Sequence, residues 1–103
     1  DPVSIEAATE NASTNRLVVD FSTKTLGDFK APRDLVVANL FAEVLSEMAP
    51  ELIRLTGKHL VLAGIMESKA IPLMELINPH LTLVSTNTMA GWTCLRYQND
   101  TKI

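Results

Sequence analysis

Residues 34–45 read Asp34-Leu35-Val36-Val37-Ala38-Asn39-Leu40-Phe41-Ala42-Glu43-Val44-Leu45, and this stretch decides the fold. Leu35-Val36-Val37-Ala38 is an unbroken β-prone run between the polar Asp34 and Asn39, the pattern of a central strand covered on both faces. From Phe41 onward the period lengthens. Phe41, Val44, Leu45, Met48, Leu52 and Leu55 recur three or four residues apart, with Glu43, Glu47 and Glu51 opposite them, as on an amphipathic helix. Pro50 is expected to kink or split that helix and Gly57 to end it. A buried strand feeding directly into a helix is the unit from which parallel sheets are built.

The same alternation continues outward. Residues 59–65 predict a second apolar strand, and residues 67–77 a helix whose Ala70, Leu73, Met74 and Ile77 share a face, with Pro72 near its start. Asn78-Pro79 stops that helix, and residues 81–86 and 92–98 then read as two strands around a loop ending in Gly91. Upstream, Leu17-Val18-Val19 is a short buried strand and residues 23–33, with Gly27 and Pro32, a polar connection. Asp1 can cap a helix whose first position is Pro2 and whose Ile5, Ala8 and Ala12 fall on one face as far as about Asn15. The expected fold is α/β, one domain over residues 1–103: a mainly parallel sheet with helices on both sides and an antiparallel hairpin at its carboxyl-terminal edge.

Composition removes several classes of function. The chain has 103 residues with 9 basic and 12 acidic side chains, a net charge of -3, and no basic stripe that would follow a nucleic-acid backbone. The longest apolar stretch, Leu60 to Ala63, resumes after Gly64 only for Ile65 and Met66, far short of the roughly 20 residues a membrane helix needs. One cysteine, Cys94, forbids an internal disulfide and fits a reducing compartment, so the chain reads as cytoplasmic. Its start, Asp1-Pro2-Val3-Ser4, has no methionine and no leader pattern, and reads as a piece of a longer protein. No repeat, low-complexity segment or internal linker divides it.

In open α/β sheets ligands bind beyond the carboxyl ends of the strands, which directs attention to Asp20, Asn39 and Gly64 to Glu67. Asn39 offers a carbonyl acceptor and two amide donors at the mouth of a central strand. It could equally cap the helix that starts at Phe41, and one reading does not exclude the other. His59 and His80 lie far apart without a cysteine or acidic cluster, so they read as structural and no metal site is expected. Cys94 alternates with Trp92 and Arg96 on the last strand, where Cys94 reads as a buried inert thiol and Trp92 as a packing residue at the sheet edge. Met48, Met66, Met74 and Met89 read as core fillers. The Glu43, Glu47 and Glu51 face is solvated, or meets a lysine-rich partner.

The run from Asp34 to Leu45, then Leu60-Val61-Leu62-Ala63-Gly64-Ile65-Met66-Glu67, then Gly91-Trp92-Thr93, resembles the carboxyl-terminal half of the PrmA family. Asp1-Pro2, Glu10-Asn11-Ala12 and Asn15 resemble the first helix of the same half. These are S-adenosylmethionine-dependent methyltransferases of large-subunit ribosomal protein eleven, with a Rossmann-like fold. The resemblance implies that Asn39 is the asparagine that ends the fourth strand of the family's sheet, lies beside the cofactor and orients the incoming amine. It implies that Asp1 neighbours the cofactor ribose, whose own acidic ligand stands two places earlier in the family. The family's glycine-rich loop likewise precedes Asp1. Its Pro-Gly-Gly turn is here Thr56-Gly57-Lys58, which puts the local backbone path in question.

The function implied is N-methylation of lysine or amino-terminal amines of a ribosomal protein, with S-adenosylmethionine as cofactor. The chain by itself is expected to be inactive and to bind cofactor poorly. Two further strands of the family's sheet would lie between residues 17–19 and 35–38, and their loss would leave two open edges; a dimer or strand swap is therefore expected. The alternatives are a related amine or protein methyltransferase with another substrate, a noncatalytic interaction domain, and a dehydrogenase. A dehydrogenase would need a Gly-x-Gly-x-x-Gly turn, and the final hairpin argues against it.

Overall fold

The computed structural model describes residues 16–20 and 31–100. The helix expected through Asn15, Asp1 with it, and the connection over 21–30 lie outside the described residues. Five strands form one sheet: β1 (Arg16–Asp20), β2 (Arg33–Asn39), β3 (Thr56–Met66), β4 (Thr82–Met89) and β5 (Trp92–Gln98). Helix α1 (Ala42–Leu55) joins β2 to β3; a 3-10 turn (Glu67–Lys69) and helix α2 (Ala70–Ile77) join β3 to β4. The strand order is β1-β2-β3-β5-β4. β1, β2 and β3 run parallel, and β5 is antiparallel to both β3 and β4.

Two rows of side chains cross this sheet and build the core. Leu17 stands beside Val36, Val36 beside Leu60 and Leu60 beside Tyr97; one step along, Ala38, Leu62 and Leu95 make a second row. All of them are buried. Because side chains alternate across a strand, these residues share one face, and that face is covered by Ala42, Leu45, Ala49, Leu52 and Leu55 of α1 and Ala70, Leu73 and Ile77 of α2. Both described helices therefore sit on the same side. Leu35, Val37 and Val61 on the other side are only half-buried.

Several local expectations are corrected. Helix α1 runs through Pro50 unbroken, because Pro50 is on the exposed side and costs one helical hydrogen bond where water can serve the freed carbonyl. Phe41 and Val44, expected in the core, are exposed. Gly57 does not end the helix. The chain passes from Leu55 straight into β3, closed by Thr56, whose amide donates to the Ile53 carbonyl and whose buried hydroxyl donates to the Leu52 carbonyl at 2.7 Å. This settles the path through Thr56-Gly57-Lys58, which lies inside β3 and is tied to the end of β5 by Asn99: its side-chain amide donates to the Thr56 carbonyl and its backbone N–H to the Lys58 carbonyl, both at 2.8 Å.

The expected helix over 67–77 begins as the 3-10 turn, with Pro72 in the first turn of α2, where its missing N–H has no helical acceptor to lose. Of the methionines, Met48 and Met74 do pack against the core, whereas Met66 and Met89 are exposed.

The sheet edges differ most. The resemblance places two further strands between residues 17–19 and 35–38; here β1 and β2 pair directly in parallel, from Arg16 opposite Leu35 to Asp20 opposite Asn39. Each of the two edges expected to be open is the other's partner, so the physical reason for expecting a dimer or strand swap is removed. At the far side the hairpin is antiparallel as expected, but β5 is internal and β4 alone forms the edge. Its loop shrinks to two residues, Ala90 (φ 53) and Gly91 (φ 84), both left-handed as in a type I′ turn.

Two predictions follow from these contacts. Asparagine tolerates the left-handed region better than alanine, so Ala90→Asn should stabilise the fold by about 1 kcal/mol, measured by thermal unfolding. Tyr97, buried on the sheet, donates its hydroxyl to Asn78 Oδ1 at 2.8 Å, and burial pushes the phenol from 10.0 up to about 12. A phenol raised in the folded state contributes stability that is complete below its unfolded value of about 10 and is lost as the pH climbs through about 12. Tyr97→Phe should cost about 1 kcal/mol at neutral pH and flatten that alkaline decline in denaturant titrations.

Candidate functional site

Parallel pairing sets the last residue of β2, Asn39, opposite Ala63 near the carboxyl end of β3, and one further bond carries the ladder past the end of β2: Leu40 N–H donates to the Ala63 carbonyl at 3.2 Å. There the chain diverges into two connections and leaves a cavity of ≈ 380 Å³ lined by Asn39, Leu40, Phe41, Gly64 and Trp92. This is the position at which open α/β sheets hold ligands.

Asn39 is exposed at the cavity, and its side chain makes no hydrogen bond to another described residue. It does not cap α1. The capping position is Phe41, extended at φ -63 and ψ 152, with no side-chain cap. The capping alternative thus falls, because the chain spends Leu40 and Phe41 turning away from the sheet before the helix begins. Gly64 has φ +79 and lies where the β3–β5 register shifts between Leu62 and Ile65. A Cβ there would stand 2.6 Å from Asn39 Oδ1, so the carboxamide rests directly on the glycine.

Trp92 is corrected. It is not an edge packing residue: it opens β5, an internal strand, is 48% exposed and forms a wall of the cavity. Phe41, 65% exposed, forms another. The sequence signal for Trp92 was present in the fold order alone, since an antiparallel neighbour of β3 must start where β3 ends. Met66 and Met89 flank Trp92 in register, extending an apolar strip on the face away from the helices.

Three ties hold the rim. Besides the Leu40–Ala63 bond, Glu67 N–H donates to the Gly91 carbonyl at 2.8 Å, and Lys69 Nζ meets Glu43 Oε2 at 2.9 Å. The Lys69 hydrogen bond, the Glu43 backbone amide and the lysine charge hold the Glu43 carboxyl below its ordinary value. Being exposed, this pair tethers α1 to the turn after β3 without adding much stability. His59, His80 and Cys94 take no part in the cavity, and both histidines are exposed. Asp20 reaches the same end of the sheet through its backbone pairing with Asn39.

A family model described as "Ribosomal protein L11 methyltransferase (PrmA)" matches residues 1–100. The chain belongs to this family. Among its relatives named ribosomal protein L11 methyltransferase, that of Geobacter sulfurreducens is 34% identical over 103 residues, covering 97% of this chain and 34% of its own length. That of Cupriavidus necator is 36% identical over 98 residues, covering 92% and 32%. The chain thus spans about a third of the length of the curated relatives it matches. The crystal structure of a ribosomal protein L11 methylase from Lactobacillus delbrueckii subsp. bulgaricus superposes with a TM-score of 0.69 at 21% identity, over 75% of this chain and 42% of that one. That likeness establishes the partial methyltransferase fold.

The cavity geometry has an optical consequence, since Trp92 is the single tryptophan. Its emission should be that of a solvent-contacting indole and be quenched readily by acrylamide. A blue-shifted, unquenched spectrum would contradict its place in the cavity wall.

Proposed function

We propose that this chain is part of an S-adenosylmethionine-dependent protein methyltransferase that N-methylates lysine or amino-terminal amines of a large-subunit ribosomal protein in the cytoplasm. The observation that carries the reading is the Asn39 carboxamide. It is a neutral acceptor unspent on any described residue, set among apolar and aromatic walls at the carboxyl ends of two parallel strands, in a member of the PrmA family.

S-adenosylmethionine, when bound, supplies a methyl group on a sulfonium, with its leaving group already in place. The cavity residues fit the reacting end of such a cofactor. Asn39 offers a carbonyl, and Phe41 and Trp92 present aromatic surface to a cationic centre. Asp1, outside the described residues, is assigned the neighbourhood of the cofactor ribose on the strength of the resemblance.

The chemistry asks little more of side chains. Asn39 Oδ1 accepts a hydrogen bond from the substrate amine and so fixes the direction of its lone pair, which is the alignment a displacement at carbon requires. Apolar walls disfavour the ammonium form by desolvation and help the amine arrive neutral. The amine's proton leaves to solvent after transfer, and no strong general base is needed.

In the whole protein, Asn39→Ala should lower kcat for methylation of the ribosomal protein by roughly 100-fold, the scale of losing one aligning hydrogen bond. Isothermal titration with S-adenosylhomocysteine should show cofactor affinity little changed. Unimpaired methyl transfer by this variant would remove Asn39 from the reaction. Failure of the whole protein to bind S-adenosylhomocysteine would leave a noncatalytic interaction domain.

A further inference from the structure

We infer that Gly64 is a positioning residue for Asn39: the absence of a side chain at position 64 is what lets the Asn39 carboxamide lie across the floor of the cavity. The consequence for catalysis rests on the role proposed for Asn39 above; the placement itself does not.

The argument is steric and one-sided. A Cβ on residue 64 would meet three atoms: Asn39 Oδ1 at 2.6 Å, the Leu40 carbonyl oxygen at 3.2 Å and the Leu40 nitrogen at 3.4 Å. The Leu40 backbone is held by its own bond to the Ala63 carbonyl and can yield only slightly. The Asn39 oxygen is different. It ends an exposed side chain that no described residue holds by a hydrogen bond, so rotation of Asn39 is the cheapest relief. Any side chain at 64 would therefore be accommodated by turning Asn39 away, with the strands left where they are. The bulge between Leu62 and Ile65 is what brings Gly64 under Asn39, in keeping with the use of bulges beside functional sites to aim a side chain.

A purely structural role for Gly64 is the competing explanation, because φ +79 favours glycine whatever its neighbours. The two are separable with a pair of variants. Gly64→Ala and Gly64→Asn both add a Cβ, but asparagine accepts the left-handed region far more readily. If only the backbone mattered, Gly64→Asn would behave like the parent.

The experiment has two arms. In the 103-residue chain, three-bond couplings report χ1 of Asn39; both variants should move it to a different rotamer while backbone amide shifts in β2 remain close to the parent. In the whole protein, both should lower kcat for methyl transfer by about 100-fold, as expected for misplacing a reacting group, with S-adenosylhomocysteine affinity retained. Adding Gly64→Ala to Asn39→Ala should produce no further loss of kcat. An unmoved Asn39 rotamer, or full activity in Gly64→Asn, overturns the inference. A moved rotamer with undiminished methyl transfer upholds the placement and overturns the catalytic role of Asn39. Should Gly64→Ala fail to fold, it is combined with Asn39→Gly, which removes the side chain that the new Cβ strikes: recovery of folding supports the clash, and continued misfolding refutes it.

Discussion

The parallel pairing of β2 with β3 is the constraint on which the rest of the molecule depends. Parallel neighbours need a crossover between them, and α1 is that crossover, so its apolar stripe must lie on the sheet face where Val36, Ala38, Leu60 and Leu62 already point. The same pairing carries β3 three residues past the end of β2. Asn39 and Ala63 end up side by side, and the connections leaving them part in a way that opens a cavity without any dedicated loop. β5 then lies antiparallel to β3 and begins where β3 ends, which delivers Trp92 to the cavity. A wholly parallel sheet would have had only strand ends to build with; one reversed strand adds a strand start.

How much of this could be read from the residues follows the range of the interaction. The unbroken run Leu35 to Ala38 has no polar position and could only be central, and Asn39 was legible because a strand so apolar must stop at its first amide. The helix phase of Leu45, Leu52 and Leu55 was legible for the same local reason, and so was the antiparallel hairpin. Phe41 was not: it continues the helical spacing yet sits at the cap, where the chain has not turned onto the sheet. Trp92 was misjudged because its hydrophobicity is the same whether it packs or lines a cavity. What decides is that β5 sits inside β4, a fact of strand order that no window of sequence contains. The turn at Ala90-Gly91 was drawn too long because alanine gives none of the warning that asparagine gives at a left-handed position. The family resemblance carried the site further than periodicity did, but it also supplied the idea of a gap between β1 and β2, which the direct ladder from Arg16 to Asp20 closes. The role of Asp1 rests on that resemblance alone.

Gly64 shows why a residue can be located correctly and still not understood from sequence. It stands just past an apolar run, where a ligand-binding loop is expected, and a glycine there is ordinary. Its partner, Asn39, is 25 positions away and meets it only because two strands run in the same direction. The register converts that long separation into a contact tighter than any side chain would permit.

None of the described residues that line the cavity is charged. A carboxylate in place of the Asn39 carboxamide would bind an ammonium firmly and hold it protonated, which is the unreactive form of an amine. A neutral carbonyl makes a weaker hydrogen bond with the same directionality and exerts much less pull on the proton equilibrium. For that substitution of dipole for charge to be useful, the dipole has to point in one direction, since a freely rotating amide would offer its donors as often as its acceptor. The oxygen of Asn39 lies against Gly64, in a place that a side chain at position 64 would deny it. On the proposed reading, selectivity for a neutral amine comes from the carbonyl and from the apolar walls together: the walls make the charged amine costly, and the Asn39 carbonyl orients the uncharged one.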